Sequence, residues 1–183
     1  MIIMINGAFG AGKTTIASEL ITKLDNSMLF DPELVGYMVR EILPDKIKKA
    51  ESKSGDFQHF ELWRILTVET ARTLKRKYGK NLIVPMTIRV PEYFTYIVSG
   101  FKDIDEHTLH FCLQASRETI FSRLRNRGEE EGNWCFQQTI KCIDAFAEYN
   151  FGEYIDTENV GIDSVVTEIL GKLDQLKTYK VMS

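Results

Sequence analysis

Residues 7–14 read Gly7-Ala8-Phe9-Gly10-Ala11-Gly12-Lys13-Thr14, with Thr15 next. This is a full match to the phosphate-loop pattern G-x-x-x-x-G-K-S/T. Glycines let the backbone curl so that successive N–H groups point inward at phosphate oxygens. The helix that starts after the turn adds the partial positive charge of its N-terminus. In such a loop Lys13 reaches the β- and γ-phosphates, and the Thr14 hydroxyl ligates Mg²⁺. Gly7 through Thr15 are therefore the candidate nucleotide contacts, and Thr14 the candidate metal ligand. The flanks agree. Ile2-Ile3-Met4-Ile5 is a continuous apolar run, as in a strand buried on both faces of a parallel sheet. Thr14–Leu24 places Ile16, Leu20, Ile21 and Leu24 on one helical face.

Outward from the loop, short apolar runs alternate with helical patterns. Ser27–Phe30 reads as a strand and Pro32–Ile42 as a helix, with Asp31 at its start and Pro44 stopping it. Lys46–Gly55 is polar and reads as a mobile, substrate-side connection. Phe57–Tyr78 reads as one long helix, Leu82–Ile88 as a buried strand and Pro91–Phe101 as a helix. Thr108–Ala115 is a strand, Ser116–Arg127 a helix and Glu129–Gly132 a charged break. Trp134–Tyr149 is a helix and Tyr154–Asp156 a last strand. Ile162–Leu176 closes the chain with Ile162, Val165, Val166, Ile169, Leu170, Leu173 and Leu176 on one stripe. Strands alternating with helices predict an α/β fold with right-handed crossovers and a parallel sheet of about five strands. At 183 residues the expectation is one domain with a small lid near 123–133.

Other residues extend the chemistry. Arg123 and Arg127 are four apart and share a helical face, while Ile120, Phe121 and Leu124 pack inward. Two guanidiniums before a charged break suit a lid over a triphosphate; the plain alternative is a solvated face paired with Glu129–Glu131. Asp31 ends the second strand, where carboxyl ends face the ligand crevice. It reads as a catalytic or metal-linked carboxylate, or as a plain N-cap. The third strand ends Val84-Pro85-Met86-Thr87 without an acid, so the aspartate that motor ATPases carry there is absent. Thr87 itself joins the candidate substrate contacts. Arg40 and Arg64 flank the 46–55 stretch and are candidates for gripping an anionic substrate. Trp63, Phe57 and Phe60 read as core rather than as a stacking platform. His59, His107 and His110 show no metal spacing.

Composition removes several classes. Asp plus Glu exceeds Lys plus Arg, 26 to 23, against the basic excess of a general nucleic-acid binder. Three cysteines with no C-x-x-C pair read as reduced thiols in a cytoplasmic protein. No apolar run reaches the roughly 18 residues of a spanning helix.

The segments MIIMINGAFGAGKTT, FDPELVG, DFQHFELWR and LIVPMTIRVPEYF, in this order, resemble the tunicamycin resistance protein family of small P-loop ATP-binding proteins. The resemblance runs from Met1 to about Leu173. The layout is also similar to nucleoside monophosphate, gluconate and shikimate kinases. There the first lid arginine, here Arg123, stacks near adenine, and the second, here Arg127, contacts phosphates. Residues 155–160, with Thr157, resemble the loop around the adenine edge. The resemblance implies ATP as cofactor and a link to nucleoside-antibiotic resistance. Longer members carry a C-terminal amphipathic extension linked to membrane association; no copy of it is evident before Ser183, which counts against membrane attachment.

Two functions follow as expectations. One is ATP- and Mg²⁺-dependent phosphoryl transfer to a small-molecule hydroxyl, with Lys13, Asp31 and Arg127 catalytic and Asp31, Arg40, Arg64 and Thr87 on the substrate. The other is an ATP-dependent protein that binds and sequesters the antibiotic without chemistry.

Overall fold

The computed structural model describes residues 1–181, with side chains to Gln175. Five strands form one parallel sheet: β1 (Ile2–Gly7), β2 (Ser27–Leu29), β3 (Asn81–Pro85), β4 (Thr108–Gln114) and β5 (Glu153–Asp156). Their order is β2-β3-β1-β4-β5. Ile3 of β1 lies level with Ile83 of β3 and Leu109 of β4. Strand β1 is thus central, and every residue of it is buried.

The apolar run Ile2–Ile5 is explained by layers on both faces. Successive side chains of a strand point to opposite sides. Ile3 and Ile5 join Ile16 and Leu20 of α1 (Lys13–Lys23) and Val165, Val166 and Ile169 of α8 (Ile162–Val181). Ile2 and Met4 join the opposite layer. There Val35 and Val39 come from α2 (Pro32–Ile42), Trp63 and Val68 from α4 (Glu61–Tyr78), and Ile97 and Phe101 from α5 (Pro91–Ile104). Each fully buried side chain of this size is worth about 1.5–3 kcal/mol. α6 (Arg117–Asn126) and α7 (Trp134–Glu148) pack together beside the loop after β1, with Ile120 and Cys142 against Ala8.

The differences from expectation have local causes. Residues 45–51 form a helix, α3 (Asp45–Glu51), although the stretch had read as a connection. It buries none of its residues, so no apolar stripe marks it. The expected helix from Phe57 is broken: Asp56 caps a single tight turn at Phe57–His59, and Phe60 in extended backbone precedes α4. β3 stops at Pro85; beyond it Met86 donates its N–H to the Ile5 carbonyl and Ile88 is held by the side chain of Asn6. α5 continues to Ile104, closed by the Asp105 N–H on the Phe101 carbonyl. The side chain of Leu176, placed on the last helical stripe, lies outside the described residues.

Candidate active site

β1 is flanked by β3 and β4, so the chain leaves it toward one side and later returns on the other. That is where α/β sheets place ligands, at the carboxyl ends of the strands. The loop Gly7–Gly12 sits there and opens into α1. Gly10 has φ +84°, and a Cβ on it would stand 3.1 Å from the Ile120 carbonyl oxygen. Gly12 has φ +96° with nothing within 4 Å of a Cβ. The loop is therefore backed by α6 at Gly10 and open at Gly12. No side chain caps α1, and its first turn carries no acid. Its leading N–H groups are left for an anion.

This opening is a cavity of about 520 Å³, walled by Phe9 through Ile16, Arg123, Arg127 and Thr157 among others. Of the expected nucleotide contacts, Phe9 through Thr15, Arg123, Arg127 and Thr157 are brought together here, Thr14 and Thr15 at exposed positions, whereas Gly7 and Ala8 are buried and line neither cavity. Lys13 donates from Nζ to the Ala8 carbonyl oxygen at 2.8 Å and lies 5.5 Å from the centre of the Phe9 ring. Burial lowers its ammonium to about 8. Arg123 reaches Thr157, donating to its hydroxyl at 3.0 Å and to its carbonyl oxygen at 2.6 Å. Arg127 is exposed and paired with Glu129 at 3.0 Å, while Arg125 pairs with Glu131 at 2.8 Å. Each guanidinium of the cluster already has a partner.

A second cavity, about 380 Å³, adjoins the first; Phe9 and Glu33 line both. Arg40, Thr87, Arg89, Phe57 and Trp134 also line it. Its floor is pinned to the phosphate loop. The buried Asn6 side chain takes N–H groups from Gly7 at 2.8 Å and Ile88 at 2.9 Å and donates to the Ile88 carbonyl at 3.0 Å. Thr87 Oγ1 donates to the Gly7 carbonyl at 3.1 Å, and Gln58 Nε2 to the Thr87 carbonyl at 2.6 Å. The end of β3 thereby does positional work in place of carrying an acid.

Two expected substrate residues sit elsewhere. Asp31 lines neither cavity; its Oδ1 accepts the Glu33 N–H at 2.9 Å, as the N-cap of α2. Glu33, two residues on, is the carboxylate at the shared wall. Burial and then the charge of Asp31 raise its pKa, with Lys13 opposing. Arg64 stands behind the second cavity: it donates to the Gln58 carbonyl at 3.1 Å and stacks over Tyr93 at 4.3 Å. Its charge supports the Phe57–His59 turn, and Arg89 faces the cavity instead. Trp63 is core as expected, its indole N–H bonding the Pro32 carbonyl at 3.0 Å. Phe60 is buried with it, whereas Phe57 is half-buried and forms cavity wall. Glu33, Asn6, Gln58, Arg89 and Trp134 escaped the sequence reading. The one available signal was Glu33, in Asp31-Pro32-Glu33, at the first turn of a helix starting beside the loop.

Residues 3–145 match the AAA domain family. The fold superposes on the tunicamycin resistance protein of Deinococcus radiodurans with a TM-score of 0.76, at 30% identity over 94% of each chain. The chain belongs to the tunicamycin resistance protein family, within the AAA domain family. Kinases stand near this family. A probable thymidylate kinase of Methanocaldococcus jannaschii is 27% identical, over 96% of this chain and 97% of its own. A gluconokinase of Sinorhizobium meliloti 1021 shares the fold with a TM-score of 0.67 at 14% identity, covering 99% of this chain and 96% of its own. The tunicamycin resistance fold seen here is thus a P-loop kinase fold. Among the described residues, no helix is long and apolar enough to cross a membrane.

Proposed function

We propose that this protein transfers the γ-phosphoryl group of ATP, with Mg²⁺, to a hydroxyl of a small molecule in the cytoplasm. The observation that carries the reading is the wall of Phe9 and Glu33 common to both cavities. A triphosphate in the first and a hydroxyl compound in the second would meet beside Lys13. Holding donor and acceptor in line is most of what phosphoryl transfer asks of a protein.

Phe9–Thr15 cradle the phosphates, and Arg123 with Thr157 flanks the base. The Thr14 hydroxyl would hold Mg²⁺. This fits the ion, which takes one or two protein oxygens and keeps phosphate and water for the rest. No group of three or more His, Cys, Asp or Glu gathers among the described residues, and none is needed. Bound there, Mg²⁺ would supply positive charge to the phosphates. Lys13, and Arg127 once released from Glu129, offset the charge that develops on the moving phosphoryl. The acceptor oxygen forms a bond to phosphorus, the bond to the ADP oxygen breaks, and the hydroxyl proton passes to Glu33. Asp31 acts through Glu33, as its cap and as the negative charge that makes it more basic. Thr87 fixes the acceptor floor to the loop.

The kinship with a tunicamycin resistance protein makes tunicamycin one acceptor to test, within a panel of small hydroxyl compounds. Mass spectrometry after incubation with ATP, Mg²⁺ and protein should find a product heavier by one phosphoryl group. If the drug is held tightly in the presence of ATP but recovered unmodified, and no other compound gains mass, the protein sequesters rather than phosphorylates.

A further inference from the structure

We propose that the acceptor carries a carboxylate or phosphate group, which pairs with Arg40 and Arg89 in the second cavity. This rests on the reading of that cavity as the acceptor site, and it predicts that tunicamycin, which carries neither group, is not the preferred acceptor.

Arg40 and Arg89 come from different elements, α2 and the loop after β3, and both line the cavity. Neither has an acidic partner among the described residues, whereas Arg72, Arg125 and Arg127 each do. Arg40 spends one N–H on the Gly55 carbonyl at 2.9 Å and lies against the Phe57 ring at 5.3 Å. Its Nε is buried with no hydrogen-bond partner. The rest of the half-buried guanidinium has only neutral contacts, and a buried donor left unpaired is costly, so an acceptor that brings a counter-charge to this end of the cavity is favoured. The two acids on the cavity wall do not fill that role. Asp56 accepts the Gln58 N–H at 3.0 Å as a cap. Glu33 and Arg40 are seven residues apart on α2, hence on one face and about 10.5 Å apart along the axis. Glu33 thus lies at the phosphate-loop end of the cavity and Arg40 two turns away, bonded to Gly55 next to Asp56. An anionic acceptor enters with its charge toward Arg40, which turns a hydroxyl toward Glu33. A neutral acceptor would leave both guanidiniums unpaired. The volume, about 380 Å³, lies near the small end of ligand pockets and suits a molecule the size of a sugar acid or sugar phosphate.

The test uses the full chain saturated with a non-hydrolysable ATP analogue and Mg²⁺, so that a triphosphate occupies the phosphate loop. Gluconate, glucose 6-phosphate and glucose are titrated by calorimetry. At least one anion should bind, at least about tenfold tighter than glucose. Arg89→Gln, which breaks no side-chain hydrogen bond or ion pair among the described residues, and Arg40→Gln should each weaken that binding about 10- to 100-fold, the worth of a charge-assisted bond. Affinity for the ATP analogue should hold. Preference for gluconate or for the sugar phosphate identifies the anion. Glucose binding as tightly, neither anion binding, or Gln variants with unchanged anion affinity would each overturn the proposal. Anion binding that Arg89→Gln abolishes, with no phosphorylated product from any compound, leaves this inference standing and ends the kinase reading. Phosphorylation of neutral compounds alone does the reverse.

Discussion

The Oδ1 of Asp31 accepts the backbone N–H of Glu33 at 2.9 Å, so the carboxylate two residues past β2 positions the one that faces both cavities. The two acids divide what a single residue had been expected to do. Asp31→Asn keeps the capping oxygen, because Asn caps as well as Asp, and stability should change by about 1 kcal/mol or less. Glu33→Gln keeps size and polarity but removes the base. Turnover on the true acceptor should fall about 10²–10⁴-fold, with ATP affinity little changed. Full activity in Glu33→Gln would remove it from the chemistry, and a collapse in Asp31→Asn alone would restore Asp31 as the base.

Asn6 joins the phosphate loop to the end of β3 through three buried hydrogen bonds. Asn6→Ala strands the Ile88 N–H and carbonyl and the Gly7 N–H away from water. Each such group costs about 1–3 kcal/mol. The urea midpoint should drop by an amount equivalent to several kcal/mol, and ATP affinity should weaken in whatever remains folded. An unchanged midpoint would mean that the β3 end does not depend on this side chain.

The order of elements and the phosphate loop were legible because they rest on local signals. A continuous run at Ile2–Ile5 and the 3.6-residue stripe through Ile16 and Leu20 each report their own burial. α3 left no such trace, since nothing in it is buried. The break at Phe60 was hidden because Phe57 and Phe60 continue the apolar spacing of α4 in sequence; what separates them is the Asp56 cap and the packing of Phe57 beside Arg40 and Trp63. The second cavity was the least legible part. Phe9, Glu33, Arg89 and Trp134 come from four places in the chain, and only the fold brings them together. Arg64 and Arg40 looked alike in sequence, yet one stacks on Tyr93 behind the wall and the other lines it.

Gly10 and Gly12 should respond differently to alanine. Both have positive φ, which a side chain resists by about 1 kcal/mol or more. Gly10→Ala also drives its Cβ toward the Ile120 carbonyl at 3.1 Å and Leu124 Cγ at 3.2 Å, so it should lower thermal stability more than Gly12→Ala. Gly12→Ala places its methyl in the open nucleotide cavity and should weaken ATP binding more than its stability loss explains. Equal effects on both readouts would contradict the loop geometry.

The lid should change partners rather than order from nothing. Arg127 is held by Glu129 and Arg125 by Glu131. Amide exchange across 127–133 should slow when ATP is added. Glu129→Gln frees Arg127 and should raise ATP affinity by a few-fold, since an exposed pair is worth only about 0.2–1 kcal/mol. A loss of affinity would show that Glu129 supports the lid instead of restraining it.

Lys13 gives the site a pH dependence with two opposite signs. Burial lowers its folded value from 10.5 to about 8. Between those values the unfolded chain binds a proton there that the folded protein does not. This group therefore makes the unliganded fold more stable as pH rises through that window. Nucleotide acts the other way. A triphosphate favours the charged ammonium and raises its pKa, so ATP binding takes up a proton once the free lysine is neutral. ATP affinity should fall as pH climbs past about 8, by at most about tenfold per unit. Calorimetry in two buffers of different ionisation enthalpy should read proton uptake above that point and little near neutrality. Lys13→Met keeps much of the apolar stem and removes the charge. It should abolish the proton uptake and weaken ATP binding strongly near neutrality while leaving the fold intact. An ATP affinity that stays flat through this window, with Lys13→Met parallel to the unaltered protein, would mean that Lys13 does not touch the phosphates.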